Sequence, residues 1–191
     1  MTGRENLRIP EQGISREEVL EALRAFKEGD ADYKSSRTWS LVYYLGEEHH
    51  QFLTDAFSMF MSENALNPIA FQSLRRLEHE VVRMTADLLG GDGDVVGTMT
   101  SGGTESCLLA VLAYRDRAAA AGRFRLRRVQ PEMIVPESVH VAWEKAAHYF
   151  GVRIVRAPLR DDFRVDVDEV AKRINKNTIL IVASAPSYPH G

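Results

Sequence analysis

Short apolar, β-prone runs alternate with helical segments from about residue 95 to the end of the 191-residue chain. The predicted strands are 95–99, 133–135, 152–157 and 178–183, and the predicted helices are 104–121, 139–150 and 167–174. Strands that alternate with helices of this length form parallel βαβ units. The run 179–182 contains no polar residue, which is typical of a strand covered on both faces. The sequence therefore predicts an α/β fold with a mostly parallel sheet.

The first 90 residues have helical periodicity instead. Ser15 and Glu18 fit a capping box, which predicts a helix that begins after Ser15, and Gly29 suits its C-terminal end. Apolar residues at three- and four-residue spacing predict two further helices, over 47–62 and 70–89. We therefore predict a helical N-terminal segment over 1–68, followed by an α/β domain that occupies 69–191.

Charge argues against nucleic acids and membrane surfaces as partners. The formal net charge of −3 produces no field that would attract a polyanion or an anionic membrane. The one basic cluster contains Arg123, Arg125, Arg127 and Arg128. Because it follows a predicted helix and precedes a proline, we interpret it as a solvated connector.

Composition indicates a globular protein of a reducing compartment. Apolar residues make up 45% of the chain and charged residues 27%, which is enough apolar content for a core. The single cysteine, Cys107, excludes an internal disulfide framework. Residues 1–10 are polar, unlike a signal peptide, and no apolar stretch approaches the roughly 20 residues that span a bilayer. We therefore expect a cytoplasmic protein without a transmembrane segment.

A glycine pair joins the predicted strand 95–99 to the long helix that follows it. Helix N-termini present unpaired N–H groups and bind anions, and Gly102 and Gly103 allow a ligand to approach the backbone closely. Thr104 and Ser106 add hydroxyl donors, but no lysine follows as in a P-loop. These residues alone support a phosphate loop and an ordinary turn capped by Thr104 about equally. The neighbouring Glu105 is compatible with an anion only if its carboxylate points away.

A longer pattern extends on both sides of this loop. It contains the segments 97–106, 113–116, 136–140, 145–151, 154–156, 158–159, 165–167, 177–178 and 189–191, with looser likeness over 7–23 and 74–82. These segments resemble the group II pyridoxal-phosphate decarboxylases, the family that includes sphingosine-1-phosphate lyases and, more distantly, glutamate decarboxylase. The resemblance implies the large domain of fold-type I pyridoxal-phosphate-dependent transferases, which is aspartate aminotransferase-like.

The resemblance also implies an activity and a cofactor. It predicts a carbon–carbon lyase or carboxy-lyase of carboxylic acid or amino acid metabolism, such as an amino-acid decarboxylase or a sphingoid-phosphate-lyase-like enzyme. The implied cofactor is pyridoxal 5′-phosphate, the implied substrate is a small amine or amino acid, and the implied assembly is a homodimer. Two alternatives stay open. One is an aminotransferase-like enzyme on the same fold. The other is a catalytically inactive, truncated paralogue that pairs with a full-length partner or folds poorly.

The resemblance also implies which residues bind the cofactor and the substrate. The residues that would hold the cofactor phosphate are Gly102, Gly103, Thr104 and Ser106. His140 would stack on the pyridine ring, and it also lies just after a predicted strand, where ligands collect in α/β folds. Candidates on the substrate side, often that of the partner subunit, are Tyr43, Tyr44, Asn64 and Asn67. Sphingosine-phosphate lyases carry a histidine where Asn67 stands, which argues against a phosphorylated sphingoid base.

The other histidines receive no predicted ligand role. His49 and His50 lack the spacing of a metal site, so no metal is predicted. His79 and His148 are interpreted as structural residues. The role of His190, close to the expected cleft, stays open.

The family's Schiff-base lysine and the aspartate that pairs with the pyridine nitrogen are expected downstream of Gly191. None of the five lysines lies in that lysine motif: Lys27, Lys34, Lys145, Lys172 and Lys176. The alternation of strands and helices also stops just after the most apolar strand. We therefore expect an N-terminal fragment with an incomplete sheet, no catalytic residue of its own, and no activity when alone.

Overall fold

A computed structural model gives the structure of the chain. It describes residues 9, 11–35, 37, 41–123, 130–188 and 190. These residues form two compact units, which divide between Leu74 and Arg75.

The first unit is helical, with α1 at Arg16–Lys27 and α2 at Glu47–Met59. The predicted capping box of α1 is confirmed: Glu18 N donates to Ser15 Oγ at 3.2 Å, and Ser15 N donates to Glu18 Oε2 at 2.7 Å. Helix α2 begins at the predicted residue and ends three residues earlier than predicted. No described residue before position 75 is buried.

The later part of the chain has the alternation that the sequence predicts. Its elements in chain order are α3 Gln72–Leu88, α4 Gly103–Ala120, β1 Glu132–Pro136, α5 Val141–Phe150, β2 Arg153–Ala157, α6 Val167–Arg173 and β3 Thr178–Ile181. Within the part of the chain that the structure describes, every helix is too short or too polar to cross a membrane.

The three strands form one parallel sheet in the order β2-β1-β3. Central Ile134 aligns with Val155 on one side and with Ile181 on the other. All five residues of β1 are buried, as is typical of a strand with a neighbour on each edge and helices over its faces. The predicted parallel α/β arrangement is confirmed.

The core lies between β1 and the helices α4 and α5. Met133 and Val135 project from the same face of β1 because side chains alternate along a strand. They belong to one buried cluster with Val111 of α4 and with Ala146 of α5, all 0–1% exposed. Burying a valine or methionine side chain contributes about 1.5–3 kcal/mol. This cluster therefore fixes both helices to the sheet.

The predicted strand 95–99 is wrong, because this segment pairs with no strand among the described residues. Side chains of α3 bind its backbone instead. Arg83 donates to the carbonyl oxygens of Asp92 at 3.1 Å and Val95 at 3.0 Å. Glu78 Oε1 accepts from Met99 N at 2.9 Å. The extended approach to the glycine pair is therefore held by a helix rather than by a sheet.

Glu132 is a buried carboxylate at the amino edge of the sheet, 2% exposed. It accepts hydrogen bonds from Arg153, from Asn175 at 3.0 Å and from Asn177 at 3.3 Å. Burial opposes its ionisation, but the hydrogen bonds from Asn175, Arg153 and Asn177 outweigh that cost and lower its pKa. This network joins the start of β1 to the starts of β2 and β3.

Arg123 also binds this amino edge. Its Nη2 donates to the carbonyl oxygen of Lys176 at 2.7 Å and to that of Thr178 at 3.2 Å. Arg123 therefore makes specific structural contacts, unlike the solvated connector that we predicted. Arg125, Arg127 and Arg128 lie outside the described residues.

Candidate functional site

Helices α4 and α5 both begin at the carboxyl edge of the sheet. Helix α5 follows directly from the end of β1, with His140 as its N-cap. The C-terminal end of α4 lies at the amino edge, because Arg123 just beyond it binds the start of β3. Helix α4 has 18 residues and is about 27 Å long, whereas a five-residue strand is about 17 Å long. Its N-terminus at Gly103 therefore extends to the edge where α5 begins.

The glycine pair forms the N-terminus of α4. Gly102 is the N-cap, so the interpretation of Thr104 as an ordinary N-cap is wrong. The first bond that closes the helix runs from Ser106 N to Gly102 O at 3.1 Å. The backbone N–H groups of Gly103 and Thr104 donate to no acceptor among the described residues. Two free donors at the positive end of a long helix, beside a threonine hydroxyl, suit a phosphate dianion.

The Glu105 carboxylate is held against Ser101. Its Oε2 accepts from Ser101 N at 2.6 Å and from Ser101 Oγ at 2.7 Å. The hydrogen bonds from the Ser101 hydroxyl and backbone lower the pKa of Glu105. The carboxylate consequently stays ionised near neutral pH and does not bind the free N–H groups of Gly103 and Thr104.

The Ser106 hydroxyl forms hydrogen bonds within the loop. Ser106 Oγ lies 2.7 Å from Thr100 Oγ1, and one of these two hydroxyls donates to the other. Both oxygens are also within hydrogen-bond distance of Gly102 O, Thr100 Oγ1 at 3.1 Å and Ser106 Oγ at 3.4 Å, so the hydroxyl that does not donate to its neighbour can donate to this carbonyl. Thr104 is therefore a better candidate than Ser106 for direct contact with a phosphate group.

His140 is exposed at the start of α5, and its ring is oriented by a backbone contact. His140 Nδ1 accepts a hydrogen bond from Ala142 N at 3.1 Å. In the neutral ring the proton is then on Nε2. The sequence does not predict this capping role, because histidine is not among the preferred N-cap residues.

The tyrosine candidates lie in the first unit and differ in exposure. Tyr43 is 95% exposed. Tyr44 is half-buried, with its ring edge-on to Tyr33 at 5.9 Å between centroids and with Lys34 Nζ 5.7 Å from its ring centroid. Burial is the main cause of the raised pKa of Tyr44, to which its hydrogen bond with Glu47 also contributes.

The asparagine candidates are turn residues of the first unit. Asn64 Oδ1 accepts from Leu66 N at 2.9 Å, and Asn67 Oδ1 accepts from Ala70 N at 3.2 Å. Both side chains are exposed, and their amide nitrogens donate to no acceptor in the described part of the chain.

A cavity of about 340 Å³ lies where β1 and β3 end. Its lining includes Pro136, Ser138, Arg160, Phe163, Ser184 and Ser187. His190 stacks on Phe163, with ring centroids 4.4 Å apart and an interplanar angle of 7°. No local sequence pattern predicts this cavity, because its lining residues come from segments that are far apart in sequence.

Comparison of the sequence with known proteins finds a family of pyridoxal-dependent enzymes. The chain matches the pyridoxal-dependent decarboxylase conserved domain over residues 33–184. It is 42% identical to sphingosine-1-phosphate lyase 1 of Mus musculus over 183 residues, which cover 96% of the chain and 31% of that protein. It is 33% identical to a probable L-aspartate decarboxylase of Pyrococcus furiosus, over 94% of the chain and 45% of that protein. The chain spans about a third of the length of the curated sphingosine-1-phosphate lyases.

Two solved structures share the fold. The sphingosine-1-phosphate lyase of Burkholderia pseudomallei K96243 superposes with a TM-score of 0.82 at 36% identity, over 97% of this chain and 44% of that chain. Lactobacillus brevis glutamate decarboxylase superposes with a TM-score of 0.75 at 23% identity, over 94% and 41%. These likenesses confirm the predicted fold-type I architecture, present here as part of that fold.

Proposed function

Since the chain belongs to the pyridoxal-dependent decarboxylase family, we propose that the whole protein is a pyridoxal-phosphate-dependent lyase that cleaves a carbon–carbon bond. The family resemblance predicted from the sequence is thereby confirmed, and the family's cofactor is pyridoxal phosphate. We propose a small amine or amino acid as the substrate, because the relatives include both a sphingosine-1-phosphate lyase and a probable amino-acid decarboxylase.

The observation that carries this proposal is the pair of free N–H groups at Gly103 and Thr104. Together with the Thr104 hydroxyl, they supply the donors that a phosphate monoester requires, at the positive end of α4. The exposed His140 ring lies at the start of α5, at the same edge of the sheet, which supports the proposal that it stacks on the cofactor ring. The chemistry of this donor set fits pyridoxal phosphate.

In the proposed mechanism, residues of this chain anchor and orient the cofactor. The N–H groups of Gly103 and Thr104 would hold the phosphate, and the Thr104 hydroxyl would donate a further hydrogen bond. His140, whose own ring is held by the Ala142 N–H, would stack on the pyridine ring. When bound, pyridoxal phosphate accepts the electron pair that C–C cleavage leaves on the substrate.

The substrate side of the site is also a proposal. We assign it to Tyr43, Tyr44, Asn64 and Asn67, and the free amide nitrogens of the two asparagines are donors suited to a polar substrate group. The asparagine at position 67 disfavours a phosphorylated sphingoid base and favours a smaller substrate. We further propose a cytoplasmic homodimer that does not bind nucleic acid, which agrees with the net charge of −3.

Product analysis of the whole protein tests the proposed reaction. Incubation with pyridoxal phosphate and a panel of amino acids and amines is expected to release carbon dioxide or an aldehyde by loss of a carbon atom from the α carbon. Transfer of the amino group to a keto acid, without loss of carbon, would instead identify an aminotransferase. Absence of any product across the panel, from a protein that binds the cofactor, would favour the inactive paralogue.

A further inference from the structure

Ser101 and Glu105 form a closed pair across the glycine turn. One carboxylate oxygen of Glu105 accepts both the backbone N–H and the hydroxyl of Ser101, at 2.6 and 2.7 Å. The two residues bracket Gly102 and Gly103, which have no side chains to restrict the turn. The pair therefore constrains the backbone at its most flexible point.

The Ser101–Glu105 pair also determines where the negative charge of the Glu105 carboxylate lies. Glu105 is the third residue of α4, and a carboxylate in the first turn is attracted to the free N–H groups of its own helix. Those groups, on Gly103 and Thr104, are the proposed donors to the cofactor phosphate. A Glu105 carboxylate without a partner would compete with the phosphate for them. Ser101 offers that carboxylate two donors outside the helix.

We propose that Glu105 is a positioning residue, which through Ser101 fixes the glycine turn and leaves the Gly103 and Thr104 N–H groups open to the phosphate. This inference rests on the proposed function, since it assigns a role to Glu105 toward the same phosphate. Glu105 itself does not touch the cofactor. The Thr100–Ser106 hydroxyl contact at 2.7 Å closes the same turn from its other side.

Three variants distinguish a positioning role of Glu105 from simple charge repulsion between its carboxylate and the phosphate. Glu105→Ala removes the acceptor of both Ser101 hydrogen bonds, and phosphate binding is expected to weaken about threefold to tenfold, the scale of a net hydrogen-bond contribution. Glu105→Gln keeps an acceptor for Ser101 and removes the charge, so binding is expected to equal or exceed that of the wild type. Ser101→Ala removes one of the two donors and is expected to fall between the wild type and Glu105→Ala.

A matched control is available in the first unit. Glu18 pairs with Ser15 at the start of α1 through the same groups, with Ser15 N donating to Glu18 Oε2 at 2.7 Å. Glu18→Ala is expected to leave phosphate binding unchanged. The probes are inorganic phosphate and pyridoxal 5′-phosphate, titrated into the 191-residue chain by calorimetry and ³¹P NMR.

Amide hydrogen exchange at Ser101 supplies a readout that needs no ligand. Its protection is expected to be lost in Glu105→Ala and retained in Glu105→Gln. Unchanged protection, or tighter phosphate binding by both Glu105 variants, would overturn the positioning role while the phosphate site stands. A wild-type chain that binds neither probe would overturn the phosphate site itself, and the role of Glu105 with it.

Discussion

His140 and Ala142 are joined by a hydrogen bond in which the backbone N–H of Ala142 donates to the imidazole Nδ1 at 3.1 Å. This contact begins α5 and at the same time fixes the ring that we assign to the cofactor. One side chain therefore has a structural role and a proposed binding role, which different substitutions can separate.

Two substitutions at His140 are expected to have opposite effects. His140→Asn supplies a favoured N-cap without a ring, so stability is retained while pyridoxal phosphate binds more weakly. His140→Phe supplies a ring without an acceptor, and the loss of the cap is expected to cost about 0.5–2 kcal/mol of stability. Urea unfolding measures stability, and cofactor titration of the whole protein measures affinity. Loss of stability in His140→Asn would contradict the capping role.

Thr104→Ala is expected to weaken binding of pyridoxal phosphate to the whole protein. The loss of a hydrogen bond to a charged phosphate costs about 1–3 kcal/mol. Thr85→Ala is the matched control, because the Thr85 hydroxyl donates to Val81 O within α3 at 2.8 Å. Fluorescence titration gives both affinities. Equal affinities in the two variants would remove Thr104 from the site.

Glu132 is expected to make the stability of the fold sensitive to acid. Its folded-state pKa lies below the ordinary value of 4.5, so its contribution is fully present above about pH 4.5. That contribution is lost as the pH falls through the lower folded-state pKa. Glu132→Gln is expected to flatten this dependence in urea unfolding measured between neutral and acidic pH.

A comparison of two alanine variants tests the same network at neutral pH. Glu132→Ala leaves three donors without their acceptor and is expected to cost about 1–3 kcal/mol. Glu144→Ala removes the exposed ion pair with Arg156 and is expected to change stability by less than about 1 kcal/mol. Similar losses of stability in the two variants would show that the buried hydrogen bonds of Glu132 stabilise the fold no more than an exposed ion pair does.

The 191-residue chain alone is expected to bind pyridoxal phosphate reversibly, without covalent attachment to one particular lysine. The contacts of its lysines support this expectation: Lys172 pairs with Glu169 at 2.7 Å, and Lys145 Nζ lies 5.6 Å from the Tyr149 ring centroid. Borohydride reduction followed by peptide mapping tests it. Stoichiometric labelling of a single lysine, with lyase turnover, would show that the chain is catalytically sufficient.

Patterns local in sequence predicted much of this fold. The Ser15–Glu18 capping box identified α1, and the Gly151 stop identified the end of α5, where Gly151 has the expected positive φ of 64°. Apolar runs identified all three strands of the sheet. In each case the signal and the structure that it specifies lie within a few residues of each other.

Predictions that depend on contacts between distant segments were less successful. Segment 95–99 has β-branched residues, but a strand also requires a neighbour, and Arg83 and Glu78 occupy its backbone groups instead. The Ser101–Glu105 pair has a spacing of four, whereas a capping box has a spacing of three, so the pattern does not reveal it. Glu78 and Glu105 therefore each accept hydrogen bonds that no local sequence pattern predicts.

The strand order β2-β1-β3 sets a sequence of events during synthesis. The unit β1-α5-β2 is complete once residue 157 has emerged, and one edge of β1 is then paired. The other edge stays open until Thr178–Ile181 follows. An open, apolar strand edge is a template for pairing with other chains. We therefore expect ribosome-bound chains between these two lengths to expose the unpaired edge of β1, and pairing with β3 to cover it.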